Sequence, residues 1–312
     1  MPSPLRMLSR LVRNLRICVT EKCNLKCFFC HREWDPSSNC LLEAKDIVKI
    51  VEAASSLGIK NVKITGGEPL VRSDIVEIIS GISPLVDEVS LVTNGVLLED
   101  YALDLKRAGL SRVNVGLPSL DSSKYESITG GGDISRVLKG IEAAREVELN
   151  PVKINMVILK GINENEVEKM MDYACNIGAT LQLIELQPIP EGEQVFEKFH
   201  VSLRQIEESI ALKSVMRTLN PTGQRAVYTI PRNGGKAVVE IVSPVNNPDF
   251  CSRCSKLRVT CDGRLKPCLL RNDNLVNIFE SVRSETGLEA LREKFMEAIS
   301  LKEPYWKIPQ KI

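Results

Sequence analysis

Residues 14–30 read NLRICVTEKCNLKCFFC, and two patterns meet in them. Apolar Leu15, Ile17 and Val19 alternate with Arg16, Cys18 and Thr20, the period-two pattern of a strand with one buried face. Cys23, Cys27 and Cys30 follow at once, in a Cys-x-x-x-Cys-x-x-Cys run. Parallel α/β proteins place their sites in the loops at the C-terminal ends of strands. A thiol-bearing loop at this point therefore predicts that the chain downstream builds a parallel sheet around it.

The downstream rhythm agrees. Short β-branched runs at 61–65, 88–93, 112–117, 152–159 and 181–186 alternate with amphipathic runs near 43–57, 74–82, 99–108, 135–147 and 164–177. Gly58, Gly109 and Gly178 stop three of these helices, and Asn163, three residues before Glu166, reads as a capping-box start. Strand–helix steps with right-handed crossovers give a parallel barrel or a doubly wound sheet. One face of nearly every strand is polar: Lys63 and Thr65, Asn114 and Gly116, Lys153 and Asn155, then Gln182. A closed eight-strand barrel fills its interior with bulky side chains, so the expectation is an open, incomplete (βα)6 TIM-type barrel whose lumen is wet and binds anions. The competing reading places the same polar residues on a solvent-facing sheet edge.

Past residue 190 the rhythm stops. Prolines at 188, 190, 221, 231, 244 and 248 surround a helix near 202–212 and two strands, 225–230 and 236–243, joined by the hairpin turn Asn233-Gly234-Gly235. The expected organisation is a partial barrel over 1–190 and a smaller C-terminal α+β appendage over 191–312.

Length and composition bound the chemistry. With 312 residues, 43% hydrophobic and 26% charged, the chain is neither disordered nor fibrous. Lys+Arg number 41 against 40 Asp+Glu, so no global attraction to nucleic acid or an anionic membrane is expected, and any anion must be bound locally. No apolar run approaches a membrane span. The basic start (Arg6, Arg10, Arg13) reads as an N-terminal strap, and the expected location is the cytoplasm. No Gly-x-Gly-x-x-Gly follows a strand, so a dinucleotide fold is excluded.

Ten cysteines in 312 residues are too sparse for a disulfide scaffold, and they cluster. Cys251, Cys254, Cys261 and Cys268 form a second group within FCSRCSKLRVTCDGRLKPCLL, residues 250–270. In a reducing compartment clustered thiols read as metal ligands. A four-thiolate zinc site usually pairs two Cys-x-x-Cys knuckles, and the second group has one. Cys18, Cys40 and Cys175 read as packing residues, because free cysteine behaves as a small hydrophobe.

The first cysteine run, together with Thr65-Gly66-Gly67-Glu68-Pro69, resembles the signature of the radical S-adenosylmethionine superfamily. Adding the Cys251/Cys254/Cys268 spacing, the chain from about Arg13 to Leu270 resembles the GTP 3′,8-cyclases of molybdenum cofactor biosynthesis. The resemblance implies two 4Fe–4S clusters, one held by Cys23, Cys27 and Cys30 and one by Cys251, Cys254 and Cys268 in the appendage, each with an iron left open. The first open iron would take S-adenosylmethionine, whose cleavage starts a radical reaction at the ribose of GTP; the second would contact the guanine base. Phe29, Gly67, Glu68, Gly116 and Gln187 are the implied cofactor-binding residues. Arg16, Lys63, Thr93, Lys153, Lys256, Leu257 and Arg258 are the implied GTP-binding residues. Also implied are a low-potential electron donor, a cyclic pyranopterin monophosphate synthase that receives the product, and a homodimer as the assembly to test.

Departures from the family pattern carry expectations of their own. Lys63, Gln182 and Lys256 stand where the resemblance leads one to expect arginine, losing bidentate forks. Gly116 and Gln187 stand in place of an expected Ser and Met. The chain closes on Lys307-Ile-Pro-Gln-Lys-Ile312 without a Gly-Gly tail, so any assistance that tail gives must come from elsewhere. Cys261 reads as a spectator, and His31 is not counted as a ligand because a fourth protein ligand would block the cofactor. Two other functions stay open at this point: a radical enzyme with an auxiliary cluster acting on a peptide or other small molecule, and a zinc-bearing nucleotide-binding protein without redox chemistry.

Overall fold

A computed structural model of the chain describes residues 12–32, 42–188, 193–221, 225–285 and 287–303. Arg6, Arg10, Cys40 and the 307–312 tail lie outside the described residues. The six predicted strands are β1 (Asn14–Cys18), β2 (Asn61–Thr65), β3 (Glu88–Thr93), β4 (Arg112–Gly116), β5 (Lys153–Ile158) and β6 (Thr180–Glu185). They pair in parallel and in chain order. Between them run α1 (Ala44–Ser56), α2 (Ile75–Ile82), α3 (Leu98–Arg107), α4 (Ser122–Thr129), α5 (Ile134–Glu146) and α6 (Val167–Asn176). The apolar strand face, with Ile17, Ile64, Leu91, Val115, Ile154 and Leu183, is fully buried together with Ile47, Ile50, Ile78, Ile79, Leu105, Ile141 and Met170 of the helices. Burial of this face on one side is what sends Arg16, Lys63, Asn114, Lys153 and Gln182 to the other.

Helix boundaries follow local chemistry. Gly58, Gly109 and Gly178 do stop helices, with φ of 85°, 96° and 67°, a region costly for other residues. At α1, Glu43 and Asp46 form a reciprocal capping box. The capping box expected at Asn163 is absent. A 3-10 turn (Glu164–Glu166) precedes α6 instead, and the Asn163 side chain is spent on loop backbone, accepting from Leu159 N and donating to the carbonyls of Pro118 and Val157, each at 2.8 Å. Helix α4 is capped by Asp121, which accepts from Lys124 N at 2.9 Å, and ends on left-handed Gly130.

The C-terminal segment continues the barrel sheet rather than forming a sheet of its own. After α7 (Glu193–Phe199) and α8 (Arg204–Lys213) come β7 (Met216–Leu219) and the expected hairpin, β8 (Ala226–Arg232) and β9 (Gly235–Val242). Then follow α9 (Pro248–Ser252), β10 (Lys256–Val259), β11 (Arg264–Lys266), β12 (Val276–Asn277), α10 (Phe279–Arg283) and α11 (Gly287–Ser300). Strand β9 joins β6 in parallel and β10 joins β1 in parallel. The result is one open twelve-stranded sheet in the order β12-β11-β10-β1-β2-β3-β4-β5-β6-β9-β8-β7. Both edges of the six-strand barrel, which would otherwise expose unpaired backbone groups, are thus covered by the C-terminal segment. No helix among the described residues is long and apolar enough to cross a membrane.

Candidate active site

The loop after β1 is fixed from two sides. Lys26 N and Phe28 N donate to the Thr129 and Ile128 carbonyls at the end of α4, at 2.8 and 3.3 Å. On the other side Gly67 N donates to Thr20 O (2.7 Å) and Glu68 N to Lys22 O (2.8 Å). The approach is so close that a Cβ on Gly67 would lie 2.3 Å from Lys22 O and one on Gly66 2.6 Å from Thr20 O. Glycine is therefore required where the β2 loop backs onto the cysteine loop. Gly67→Ala is expected to push the 20–23 backbone aside and to lower the iron retained by the first cysteine group, measured as iron per chain after anaerobic reconstitution; wild-type iron content in this variant would remove the steric argument.

Cys23 and Cys30 are exposed at the mouth and Cys27 is half-buried. Desolvation pushes the Cys27 thiol up to about 12, with the Cys30 and Cys23 thiols adding to the shift. Cys23 is raised too, first by desolvation and then by Glu68 and Cys30. The three thiols thus lie within electrostatic reach of one another, and as thiolates they need a positive centre among them. No trio of histidine, cysteine or carboxylate groups among the described residues is gathered tightly enough to hold a single metal ion.

Glu68 is fully buried. Its carboxylate accepts from Leu70 N (3.0 Å), Thr93 Oγ1 (2.8 Å) and Asn94 N (2.6 Å), while burial raises its pKa to about 7. Asn94 in turn donates to Asn24 Oδ1 at 2.7 Å, which joins the Glu68 turn to the cysteine loop. Thr93, expected at GTP from the resemblance, donates to Glu68 in this structure. Phe29 lies in a small apolar cluster with Phe28, Phe196, Phe199, Leu159 and Leu186, its ring edge-on to Phe28 at 6.0 Å. Gly116 ends β4 with room for a Cβ, the nearest atom lying at 3.7 Å, and half-buried Gln187 follows β6.

The second cysteine group sits at the opposite end of the strands. Cys251 lies in α9, Cys254 just before β10 and Cys268 just after β11. Because β10 and β11 are antiparallel, Cys268 returns to the Cys254 end of the hairpin. Cys261, fully buried, occupies the turn at the far end. Lys302 binds this region together: its Nζ donates to Lys256 O (3.1 Å) and Pro267 O (3.3 Å) and lies 3.6 Å from Cys254 Sγ. Burial raises the Cys254 pKa, but Lys256, Lys302 and Arg258 outweigh it and hold the thiol near 7. Since β1 and β10 run parallel, the two cysteine groups bracket the lumen, separated along the strands by roughly 13 Å for four residue steps plus the loops.

Between them lies a row of cations. The register sets Arg258, Arg16 and Lys63 side by side on β10, β1 and β2, with Lys266 facing Arg258. Like charges directly opposite one another repel. Burial, followed by Arg112, Arg16, Arg225 and Lys153, holds Lys63 well below its ordinary pKa; burial and the neighbouring Arg225 hold Lys256 near 7. Leu257, assigned to GTP from the sequence, points to the other face and is buried in the core, since β10 alternates as every strand does. Across the lumen Lys63 donates to Asn114 Oδ1 (2.9 Å), and Asn114 Nδ2 to Asn155 Oδ1 (3.2 Å) and Gln182 Oε1 (2.9 Å). The chain of contacts ends on Glu240 of β9, 1% exposed, which accepts from Gln182 and pairs with Lys153 (2.6 Å) and Arg225 (2.8 Å). Sequence reasoning missed Glu240 and Arg225: both sit on a hairpin that carried no sign of packing beside β6.

Comparison with known proteins identifies the family. The model of the Radical SAM superfamily matches residues 17–174, and that of Molybdenum Cofactor Synthesis C matches 179–308. The chain is 45% identical over 303 residues to a probable GTP 3′,8-cyclase of Archaeoglobus fulgidus, covering 96% of this chain and 97% of that one. It is 44% identical to a probable GTP 3′,8-cyclase of Pyrococcus horikoshii, covering 95% and 96%. Among solved structures, Streptococcus suis SuiB bound to precursor peptide SuiA superposes with a TM-score of 0.68 at 17% identity over 92% of this chain and 69% of SuiB. Native anSMEcpe with bound AdoMet and a peptide gives 0.60 at 16% identity over 92% and 82%, so the open barrel is a fold these enzymes share. On the sequence relatives and the two matched models, the chain belongs to the radical SAM superfamily and, within it, to the GTP 3′,8-cyclase family.

Proposed function

We propose that this chain converts GTP to (8S)-3′,8-cyclo-7,8-dihydroguanosine 5′-triphosphate, the first step of molybdenum cofactor biosynthesis. The observation that carries this reading is the in-register row Arg258–Arg16–Lys63 lying between two cysteine groups. Cations packed this closely at the bottom of a cleft are stabilised by an anion of several charges, and a triphosphate supplies one. Lys153 and Lys256 join the same site.

The donor set of each cysteine group fits a 4Fe–4S cluster. Cys23, Cys27 and Cys30 are three thiols that act electrostatically on one another and need a positive centre, on a loop held against two glycines; Cys254 and Cys268 lie at the same end of the β10–β11 hairpin, Cys254 beside Lys302, with Cys251 on α9 just before it. When bound, a cluster held by three thiolates supplies an open iron and the electron for reductive cleavage of S-adenosylmethionine. The protein's own part is to orient and enclose. Glu68, anchored by three donors, would hold the cofactor's amino group, joined by Gly67, Gly116, Phe29 and Gln187, and Thr93 would keep Glu68 in place. The aromatic cluster of Phe28, Phe29 and Phe199 covers the mouth and keeps water from a reactive carbon centre. In the same reading the division near residue 190 separates the cofactor-binding barrel from the segment that brings the second cluster. A low-potential electron donor, a downstream synthase and a homodimer complete the proposal.

Anaerobic reconstitution, incubation with GTP, S-adenosylmethionine and a reductant, and mass analysis of the nucleotide tests it. The expected result is a cyclised product isobaric with GTP, and binding of GTP in preference to ATP; equal binding of the two would sink the guanine assignment. Cys261→Ala is expected to leave the iron content unchanged, because the residue occupies the turn away from Cys254 and Cys268. Loss of roughly four irons per chain would make it a ligand.

A further inference from the structure

We infer that Arg225, brought in by the β7–β8 connection and held by Glu240, contacts the triphosphate of GTP, and that Glu240 is the positioning residue that aims it. The inference rests on reading the lumen as a GTP site.

Arg225 is anchored at both ends. Its backbone N–H donates to Asn220 Oδ1 and its carbonyl accepts from Asn220 N, each at 2.9 Å, which ties the residue before β8 to the one after β7. Its guanidinium is 18% exposed and donates through Nη1 to Glu240 Oε1 at 2.8 Å. Glu240 spends its other oxygen on Lys153 and Gln182. One carboxylate is thus shared between two cations, and a net positive charge remains at that wall of the lumen.

Two further observations point to a ligand. The Nε–H of Arg225 is buried and has no hydrogen-bond partner among the described residues. Buried guanidinium donors are normally satisfied, so this one is left for an acceptor that the described residues do not supply. Arg225 also acts electrostatically on Lys63 of β2, a residue on the far side of the sheet order from β8. It therefore reaches into the interior shared by the cation row, where phosphate oxygens are the fitting acceptors.

The bland alternative is an ion-pair clamp that fastens the hairpin to the barrel. Equilibrium dialysis of GTP and GMP against full-length, anaerobically reconstituted protein separates the two. Arg225→Gln is expected to weaken GTP binding about tenfold or more and to leave GMP within about twofold, with iron content and S-adenosylmethionine binding as in wild type; Arg225→Lys recovers part of the loss. Unchanged GTP affinity, or equal weakening of GTP and GMP, overturns the contact. Glu240→Gln distinguishes aim from charge. Removing a negative charge strengthens anion binding if only the field matters, whereas loss of positioning weakens it, so tighter GTP binding overturns the role of Glu240. If that variant does not fold, the Arg225 pair decides alone. Wild-type protein that binds no GTP overturns the reading of the lumen and the inference with it; wild-type binding unaffected by Arg225→Gln overturns the inference only.

Discussion

Cys27→Ala is expected to abolish cleavage of S-adenosylmethionine and to remove roughly four irons per chain, while GTP binding persists. Cys27 is the most enclosed thiol of its group, half-buried where Cys23 and Cys30 are exposed, and desolvation holds its pKa near 12 in the absence of a positive partner. A thiol this reluctant to ionise serves no purpose as a surface group; it becomes a thiolate only beside a cation. The loop that carries it is tied to α4 and to the Gly66-Gly67 turn by backbone hydrogen bonds, so removing one sulfur leaves the scaffold in place. Iron analysis, 5′-deoxyadenosine release and GTP dialysis on the same sample check the three parts. Retention of all the iron with cleavage lost would assign Cys27 a role other than ligation.

Glu240→Gln is expected to destabilise the fold by about 3 kcal/mol at pH 7. Burial alone raises the Glu240 pKa, but the charges of Arg225 and Lys153 and the hydrogen bonds from Lys153 and Gln182 outweigh it and hold the carboxyl down at about 2, against 4.5 ordinarily. A depressed carboxyl contributes stability that is fully present above its unfolded value and lost as pH falls through its folded one. The gap between wild type and Glu240→Gln therefore stays constant above about pH 4.5, narrows below it and closes toward pH 2. Denaturant unfolding at pH 7 and at pH 3.5 checks this; an equal gap at both would mean that the charge of Glu240 is not what stabilises the lumen.

Much of the site was legible in the sequence because its chemistry is local. The cysteine spacings and the Gly-Gly-Glu-Pro turn lie within single loops, and the six barrel strands are marked by period-two alternation with stops after the helices. Strands β10, β11 and β12 were not legible: they span 4, 3 and 2 residues, too short for a periodic pattern to emerge. The burial of Leu257 was not legible for the same reason, since its face is decided by pairing with Leu15, a contact that local pattern does not encode. Glu240 looked like one polar residue on an exposed hairpin. Its meaning arises only when β9 docks against β6 and sets it beside Gln182. Thr93 carries a hydroxyl that suits either phosphate or carboxylate, and the tight turn at Glu68 decides which it meets.

The placement of β1 between β2 and β10 bears on how the molecule is made. Asn14 Nδ2 donates to Ser255 Oγ at 2.8 Å across 241 residues of chain, so β1 waits for a strand far downstream to complete its ladder. Contacts of such long range slow folding and leave a nascent sheet edge open to wrong partners. The cofactor loop can thus take shape while the chain is still being made, whereas the far end of the lumen closes only once β10 and β11 have been added.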